Sequence, residues 1–226
     1  MNICYAMTRN VYEWCVPSIK SLSETNPKAR VFILCEDDEF PIELPMKVET
    51  INVSGQEWFT KDNCVNIRNQ FGGYINLIKV CLPEILKVDK VIWLDIDTII
   101  CDSLEPMWKT DVKGKWLAAV PERYGSYKPF GPMYYNAGVM LLNLKQLRMD
   151  KAQEEMVNYL QTVRQPWADQ DAWNRSLDKV AELDKRFNES QVTGKTDNPV
   201  IVHYCGISNW WMNRQMDRSE YLFKYL

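Results

Sequence analysis

Apolar residues in this chain fall into short unbroken runs, separated by stretches in which they recur at helical spacing. Ile3 to Ala6, Val31 to Cys35 and Val91 to Leu94 are continuous apolar runs, the pattern of strands buried on both faces. Val48 to Val53 reads as a further strand. Tyr12, Cys15, Val16, Ile19 and Leu22 recur at helical spacing, and Asn26-Pro27 closes that helix. The run Glu36-Asp37-Asp38-Glu39 reads as a solvated turn, and residues 54–71 as irregular. From Gly73, the positions Tyr74, Ile75, Ile78, Leu82, Ile85 and Leu86 describe an amphipathic helix that Pro83 kinks or shortens.

Strand and helix patterns then alternate to the end of the chain. Trp116 to Val120 and Gly138 to Leu142 read as strands, with a Gly- and Pro-containing loop over residues 122–132 between them. Ala152, Met156, Val157, Leu160 and Val163 make another helix. Pro199 to Tyr204 is a late strand, and the Trp-rich tail from Ser208 reads as helical at its end. This alternation predicts an α/β fold, with a mostly parallel central sheet flanked by helices. At 226 residues, without repeats or a linker-like segment, the expectation is a single domain over residues 1–226.

Composition narrows the function. Lys and Arg number 27 against 30 Asp and Glu, so the net charge of -3 gives no electrostatic support for binding nucleic acid. The seven cysteines are odd in number, widely spread and free of any Cys-x-x-Cys pair, which excludes zinc-ribbon and thioredoxin-type readings and suits a reducing compartment. The amino terminus lacks a basic, then apolar, leader, and no apolar run is long enough to span a bilayer, so a soluble cytoplasmic protein is expected.

The most informative segment is Val91-Ile92-Trp93-Leu94-Asp95-Ile96-Asp97-Thr98. If the strand continues through it, Asp95 and Asp97 project on one side, at the carboxyl edge where open α/β sheets bind ligands. Two adjacent carboxylates repel unless a cation lies between them, so a divalent metal site is one reading. Strand-end acids that are solvated or cap the next turn are the other.

Three more segments bear on the choice: Tyr135-Asn136-Ala137-Gly138 leading into an apolar run, Asp169-Gln170-Asp171, and His203-Tyr204-Cys205-Gly206, which contains the only histidine. In content, order and spacing, the four together resemble the retaining nucleotide-sugar glycosyltransferases of family 8, a group that includes glycogenin and lipopolysaccharide galactosyltransferases. The resemblance covers nearly the whole chain. It implies a Rossmann-like glycosyltransferase A domain, with residues 1–100 as nucleotide-binding half and residues 101–226 as donor-sugar and acceptor half. It also implies a UDP-sugar donor, a hydroxyl acceptor on a glycan or glycoconjugate, and manganese (magnesium as an alternative) held by Asp95, Asp97 and His203.

Further roles carry over one at a time. Ala6, Thr8 and Tyr12 match the uridine-binding segment, with Tyr12 stacking on the base; a core position on a helix face explains Tyr12 equally well. Ile96 lies within the metal motif against the nucleotide. Lys79 matches a cation that meets the diphosphate or donor sugar, against the plainer reading of an exposed helix-face lysine. Asn136 matches a contact to the sugar hydroxyls, and Asp169 and Gln170 match the pair near the anomeric carbon. Asp171 ranks below them, and Asp102 reads equally as a family acid or a turn acid. Gly206 matches a glycine against phosphate.

Two departures stand out. Asn209 and Trp210 occupy places where the family carries Lys and Pro, with Arg214 as a substitute cation, and Arg9 stands where an acid is common. Retention without a clearly placed nucleophile favours attack from the leaving group's own face, with Asp169 orienting substrate in preference to forming a covalent intermediate. Rival readings are a catalytically weak binding domain of the same fold and a haloacid-dehalogenase phosphatase, which shares the string Asp-x-Asp-x-Thr. A nucleotidyltransferase would want a Gly-rich phosphate loop, and residues 2–10 contain no glycine.

Overall fold

The protein is described by a computed structural model over residues 1–67, 73–123, 133–207, 210–213 and 215–226, the side chain of residue 211 excepted. In chain order its elements are β1 (Asn2–Ala6), α1 (Val16–Thr25), β2 (Arg30–Cys35), β3 (Val48–Asn52), α2 (Leu82–Ile85), β4 (Val91–Leu94), β5 (Thr98–Ile100), α3 (Glu105–Trp108), β6 (Leu117–Pro121), β7 (Tyr135–Leu142), α4 (Leu144–Met149), α5 (Ala152–Thr162), α6 (Asp169–Asn174), β8 (Val180–Glu182), β9 (Ile201–His203) and α7 (Ser219–Phe223). Short 3-10 turns link several of them.

Seven strands form one sheet in the order β3-β2-β1-β4-β7-β6-β8. Pairings β2–β3, β1–β2, β1–β4 and β6–β8 are parallel, while β7 runs antiparallel to both neighbours. The apolar runs are continuous because each central strand is covered on both faces. Cys4, Val91, Trp93, Met140 and Leu142 enter one core layer, with Met156 and Leu160 of α5. Their neighbours Ile3, Tyr5, Ile92, Leu94, Val139 and Leu141 enter the other, with Ile19 and Leu22 of α1. The alternation is the two-residue period of a pleated strand. The α/β architecture, mostly parallel sheet and flanking helices predicted from the sequence are all present.

Two local expectations change. Residues 73–86 are not one amphipathic helix: 3-10 turns at Gly73–Asn76 and Ile78–Cys81 precede α2, and Ile78, Lys79, Val80 and Cys81 are all buried. Pro83 has no N–H to give the Lys79 carbonyl, and that carbonyl instead accepts from Leu82 N–H, three residues on. Proline therefore starts α2, where an N–H is dispensable, instead of ending a longer helix. The same logic divides the first predicted helix into a 3-10 segment over Arg9–Cys15 and then α1, with Pro17 in the first turn. The late strand β9 lies outside the main sheet and pairs antiparallel with β5.

That small ribbon positions the site. Its register sets His203 opposite Thr98, the residue immediately after Asp97. A third apolar cluster, including Ile99, Val202, Tyr204, Trp210 and Leu222, packs the ribbon against the tail. Arg218 closes on the buried Glu189 with Nε 2.6 Å from Oε1. Among the described residues no helix is long and apolar enough to cross a membrane.

Candidate active site

The strand β4 ends at Leu94, so Asp95 and Asp97 sit on the turn between β4 and β5 and do not converge through a strand pleat. Backbone bonds shape this turn: Asp95 N–H donates to the Gly138 carbonyl at 2.8 Å, and the Asp97 carbonyl accepts from Tyr204 N–H at 2.9 Å. Thr98 Oγ1 closes it by donating to the Asp95 carbonyl at 2.8 Å. The ribbon then delivers His203, whose Nε2 lies 3.2 Å from Asp97 Oδ1 and 4.0 Å from Asp95 Oδ2.

Ligand atoms of Asp95, Asp97 and His203 all lie within 4.8 Å of one another. The imidazole side chain is 1% exposed, and among the described residues its buried Nε2 has no hydrogen-bond partner. A buried polar nitrogen left unpaired costs free energy, and a cation between it and two carboxylates would satisfy all three groups. The residues present thus fit a divalent ion.

Gly138 makes this approach possible. A Cβ there would lie 2.1 Å from His203 Cε1 and 2.9 Å from Asp95 Oδ2. The glycine accommodates the imidazole, leaving no room for a side chain at this position.

Lys79 lies beside the cluster and is 4% exposed, which removes the exposed-lysine reading. Its Nζ is 2.9 Å from Asp169 Oδ2 and 3.5 Å from Asp95 Oδ1, donates to the Ala137 carbonyl at 3.2 Å, and sits 5.0 Å from the centre of the Trp93 ring. Burial disfavours its charge, but Asp169 and Asp95 outweigh that and hold its pKa above the ordinary lysine value. Burial likewise pulls His203 down, and Asp97 with Asp95 more than offsets it, so its pKa lies above the ordinary 6.5.

Lys79, Asp95, Asn136, Asp169, Gln170, His203 and Gly206 line one cavity of about 500 Å³. That volume falls in the range of small-molecule sites, about 300–1,000 Å³. The amides of Asn136 and Gln170 are tied together: Gln170 Oε1 accepts from Ala137 N–H at 2.9 Å, and Gln170 Nε2 and Asn136 Nδ2 both donate to Glu122 Oε1, at 3.0 and 3.1 Å. A positive φ of 47° at Ala168 turns the chain into α6 so that Asp169 and Gln170 open this helix at the cavity wall.

The sequence model of glycosyl transferase family 8 matches residues 2–215. The chain belongs to glycosyl transferase family 8. Its fold matches the crystal structure of the galactosyltransferase LgtC in complex with donor and acceptor sugar analogues, with a TM-score of 0.79 at 25% identity, covering 100% of this chain and 95% of that one. General stress protein A of Bacillus subtilis is 25% identical over 182 residues, covering 66% of this chain and 63% of its own length. Glycosyltransferase GlyA of Streptococcus pneumoniae is 25% identical over 212 residues, covering 86% of this chain and 30% of its own length. The chain thus spans less than two thirds of the curated relatives it matches. Family membership and the LgtC-like glycosyltransferase A fold set aside the haloacid-dehalogenase reading.

Other residues of the family resemblance lie apart from the cavity. Ala6, Thr8, Tyr12 and Ile96 are not among the residues lining it, nor is Asp97, which belongs to the group it forms with Asp95 and His203. Ala6 is half-buried at the end of β1, and Thr8 Oγ1 donates to Asn10 Oδ1 at 2.5 Å. Tyr12 is buried, its ring 4.9 Å from that of Phe40, and its hydroxyl donates to Asp37 at 3.0 Å while accepting Glu36 N–H at 2.9 Å. Arg9 grips the same acidic run, with Nη2 2.8 Å from Asp37 Oδ1 and 2.6 Å from the Glu36 carbonyl. The run is therefore more than a solvated turn.

Asp102 is exposed and accepts from Ser103 N–H at 2.7 Å, as a turn acid does. Asp171 is fully buried and accepts from Tyr134 Oη at 2.6 Å and Trp167 N–H at 2.8 Å, which makes it an anchor for the turn before α6. Gly206 lines the cavity with φ 72°, a backbone that by itself calls for glycine. Asn209, Arg214 and residues 124–132 lie outside the described residues.

Sequence reasoning missed Trp93, Glu122 and Asn188. Trp93 Nε1 donates to Asp95 Oδ1 at 2.7 Å, and the period-2 spacing of the two residues was a usable signal. Asn188 and Glu122 had none; each is an isolated polar residue whose role arises only from tertiary contact.

Proposed function

We propose that this chain transfers a hexose-type sugar from a UDP-sugar to a hydroxyl acceptor on a glycan or glycoconjugate, with retention of anomeric configuration. The observation that carries this reading is the buried Nε2 of His203, without a hydrogen-bond partner among the described residues, which faces Asp97 and Asp95, with Asp95 and His203 themselves lining the cavity shared with Lys79, Asn136, Asp169 and Gln170. A divalent ion bound there supplies Lewis-acid neutralisation of charge developing on a diphosphate leaving group.

The chain's own residues do the rest. Lys79 keeps a buried positive charge beside that region, held between Asp169 and Asp95. Because the Asp169 carboxylate is engaged by Lys79, it suits orienting the substrate better than forming a covalent bond, which favours attack from the leaving group's face. Asn136 and Gln170, fixed by Glu122, Gly138 and Ala137, present preorganised amides to the sugar. Residues 1–100 then serve the nucleotide and residues 101–226 the donor sugar and acceptor.

On the acceptor side, Trp167 lines the same cavity with 54% of its surface exposed. An open indole beside polar groups suits the apolar face of a pyranose ring. All seven cysteines are unpaired, which agrees with a reducing, cytoplasmic setting. A panel of UDP-sugars, assayed for transfer and hydrolysis with and without Mn²⁺, tests the proposal. Metal-dependent turnover of one donor is expected. Binding of UDP without turnover of any donor would instead support the catalytically weak binding domain, which the Asn209 substitution favours.

A further inference from the structure

The metal-facing histidine has its orientation set by a chain of side-chain hydrogen bonds with only one consistent polarity. It starts at Asn136. Gly138 N–H, which can only donate, lies 3.0 Å from Asn136 Oδ1, and Glu122 Oε1, which as a carboxylate can only accept, lies 3.1 Å from Asn136 Nδ2. Turning this amide over would set donor against donor and acceptor against acceptor, so both ends lock it. Asn136 Oδ1 also receives Asn188 Nδ2 at 2.9 Å, which fixes the second amide and leaves Asn188 Oδ1 toward His203 Nδ1, 2.9 Å away. Asn188 is fully buried, so no solvent competes for these contacts.

We infer that Asn188 is a positioning residue of the metal site, holding His203 as the Nδ1–H tautomer with a bare Nε2 and tying that choice to the donor-side amide Asn136. This goes against the immediate electrostatics. Asp97 Oδ1 is 3.2 Å from Nε2 and would accept a proton there if the imidazole were free to choose. With the proton on Nε2 the nitrogen cannot ligate. Asn188 therefore keeps the site in its binding-competent form before any ion arrives, and couples the metal ligand to the wall of the sugar cavity. The inference rests on the metal-site reading above, but its first test does not.

Since the chain has a single histidine, ¹⁵N labelling of histidine gives one unambiguous pair of ring nitrogens. In the metal-free protein, at a pH where the ring is neutral, Nδ1 is expected to carry the proton and Nε2 to be bare. Asn188→Leu, close in volume, should move the proton to Nε2 and weaken Mn²⁺ binding by about 10–100-fold. Asn188→Asp, which keeps an acceptor facing Nδ1, should retain the wild-type tautomer. A wild-type proton on Nε2, or a folded Asn188→Leu variant with unchanged tautomer and Mn²⁺ affinity, would overturn the inference. If the leucine variant does not fold, the wild-type tautomer and the aspartate variant still decide it. The expected tautomer together with no Mn²⁺ affinity in the wild type would support the relay and overturn the metal reading.

Discussion

Two regions at the carboxyl edge of the sheet carry the family's sequence marks, and they differ in how their polar groups are satisfied. Around Thr8 to Tyr12, the groups are satisfied by their own neighbours: Arg9 is paired to Asp37, and the Tyr12 hydroxyl makes two bonds to the Glu36–Asp37 segment. Around Asp95, Asp97 and His203, two carboxylates crowd a buried imidazole nitrogen that has no hydrogen-bond partner among the described residues. The contrast teaches that a motif marks a region, while unmet polar demand within it marks the place where something binds.

The comparison can be broken most severely at Gly138. Gly138→Ala puts a methyl group into the His203 ring, so Mn²⁺ binding should be lost, with a destabilisation of about 1–3 kcal/mol from overpacking. Titration of Mn²⁺ by electron paramagnetic resonance, beside a thermal melt, separates the two effects. An alanine variant that binds Mn²⁺ like wild type would show that the cluster's spacing is not what matters.

Next in size is Gln170→Ala. Turnover should fall about 100-fold while UDP affinity stays nearly constant if, as proposed, the amide serves the sugar and not the nucleotide. Steady-state kinetics beside UDP calorimetry gives both numbers. Equal losses in the two would move Gln170 to the nucleotide end.

A pH series sharpens the contrast from the charge side. The His203 pKa in the metal-free chain lies above 6.5, as Asp97 and Asp95 outweigh burial. The stability this pairing contributes is therefore complete below about pH 6.5 and lost as pH rises through the higher folded value. Mn²⁺ needs the neutral ring, so its affinity runs the opposite way, rising with pH with about one proton released per ion bound. Calorimetry in buffers of different ionisation enthalpy counts that proton. Proton-independent Mn²⁺ binding across this window would remove His203 from the ligand set.

The smallest effect is expected at the other region. Tyr12→Phe keeps the ring packed on Phe40 and removes the hydroxyl bonds, so stability should drop by about 1–2 kcal/mol with UDP affinity little changed. A large loss of UDP affinity, with stability untouched, would place the ring on the base.

Much of the fold was legible because its core strands are buried on both faces, which writes Val31–Cys35 and Val91–Leu94 as uninterrupted apolar runs. The helix expected over residues 73–86 was not, because apolar spacing cannot report that every side is buried or that Pro83 forces an i to i+3 pattern. At the site, Asp95, Asp97 and His203 could be named from motif order, but the turn that brings the acids together and the β5–β9 register that delivers the histidine could not. Lys79 was legible as a cation and not as a buried one. Asn188 and Glu122 carry no local pattern at all, since hydrogen-bond polarity across distant segments is a property of the folded chain.

The central claim is that Asp95, Asp97 and His203 form one metal site that serves the donor diphosphate. Calorimetry of UDP binding with and without Mn²⁺, in wild type and in Asp97→Ala, tests it most directly. UDP affinity should rise sharply with Mn²⁺ in the wild type, and the variant should fold but lose that rise. Equal UDP affinity with and without Mn²⁺ in the wild type would contradict the site.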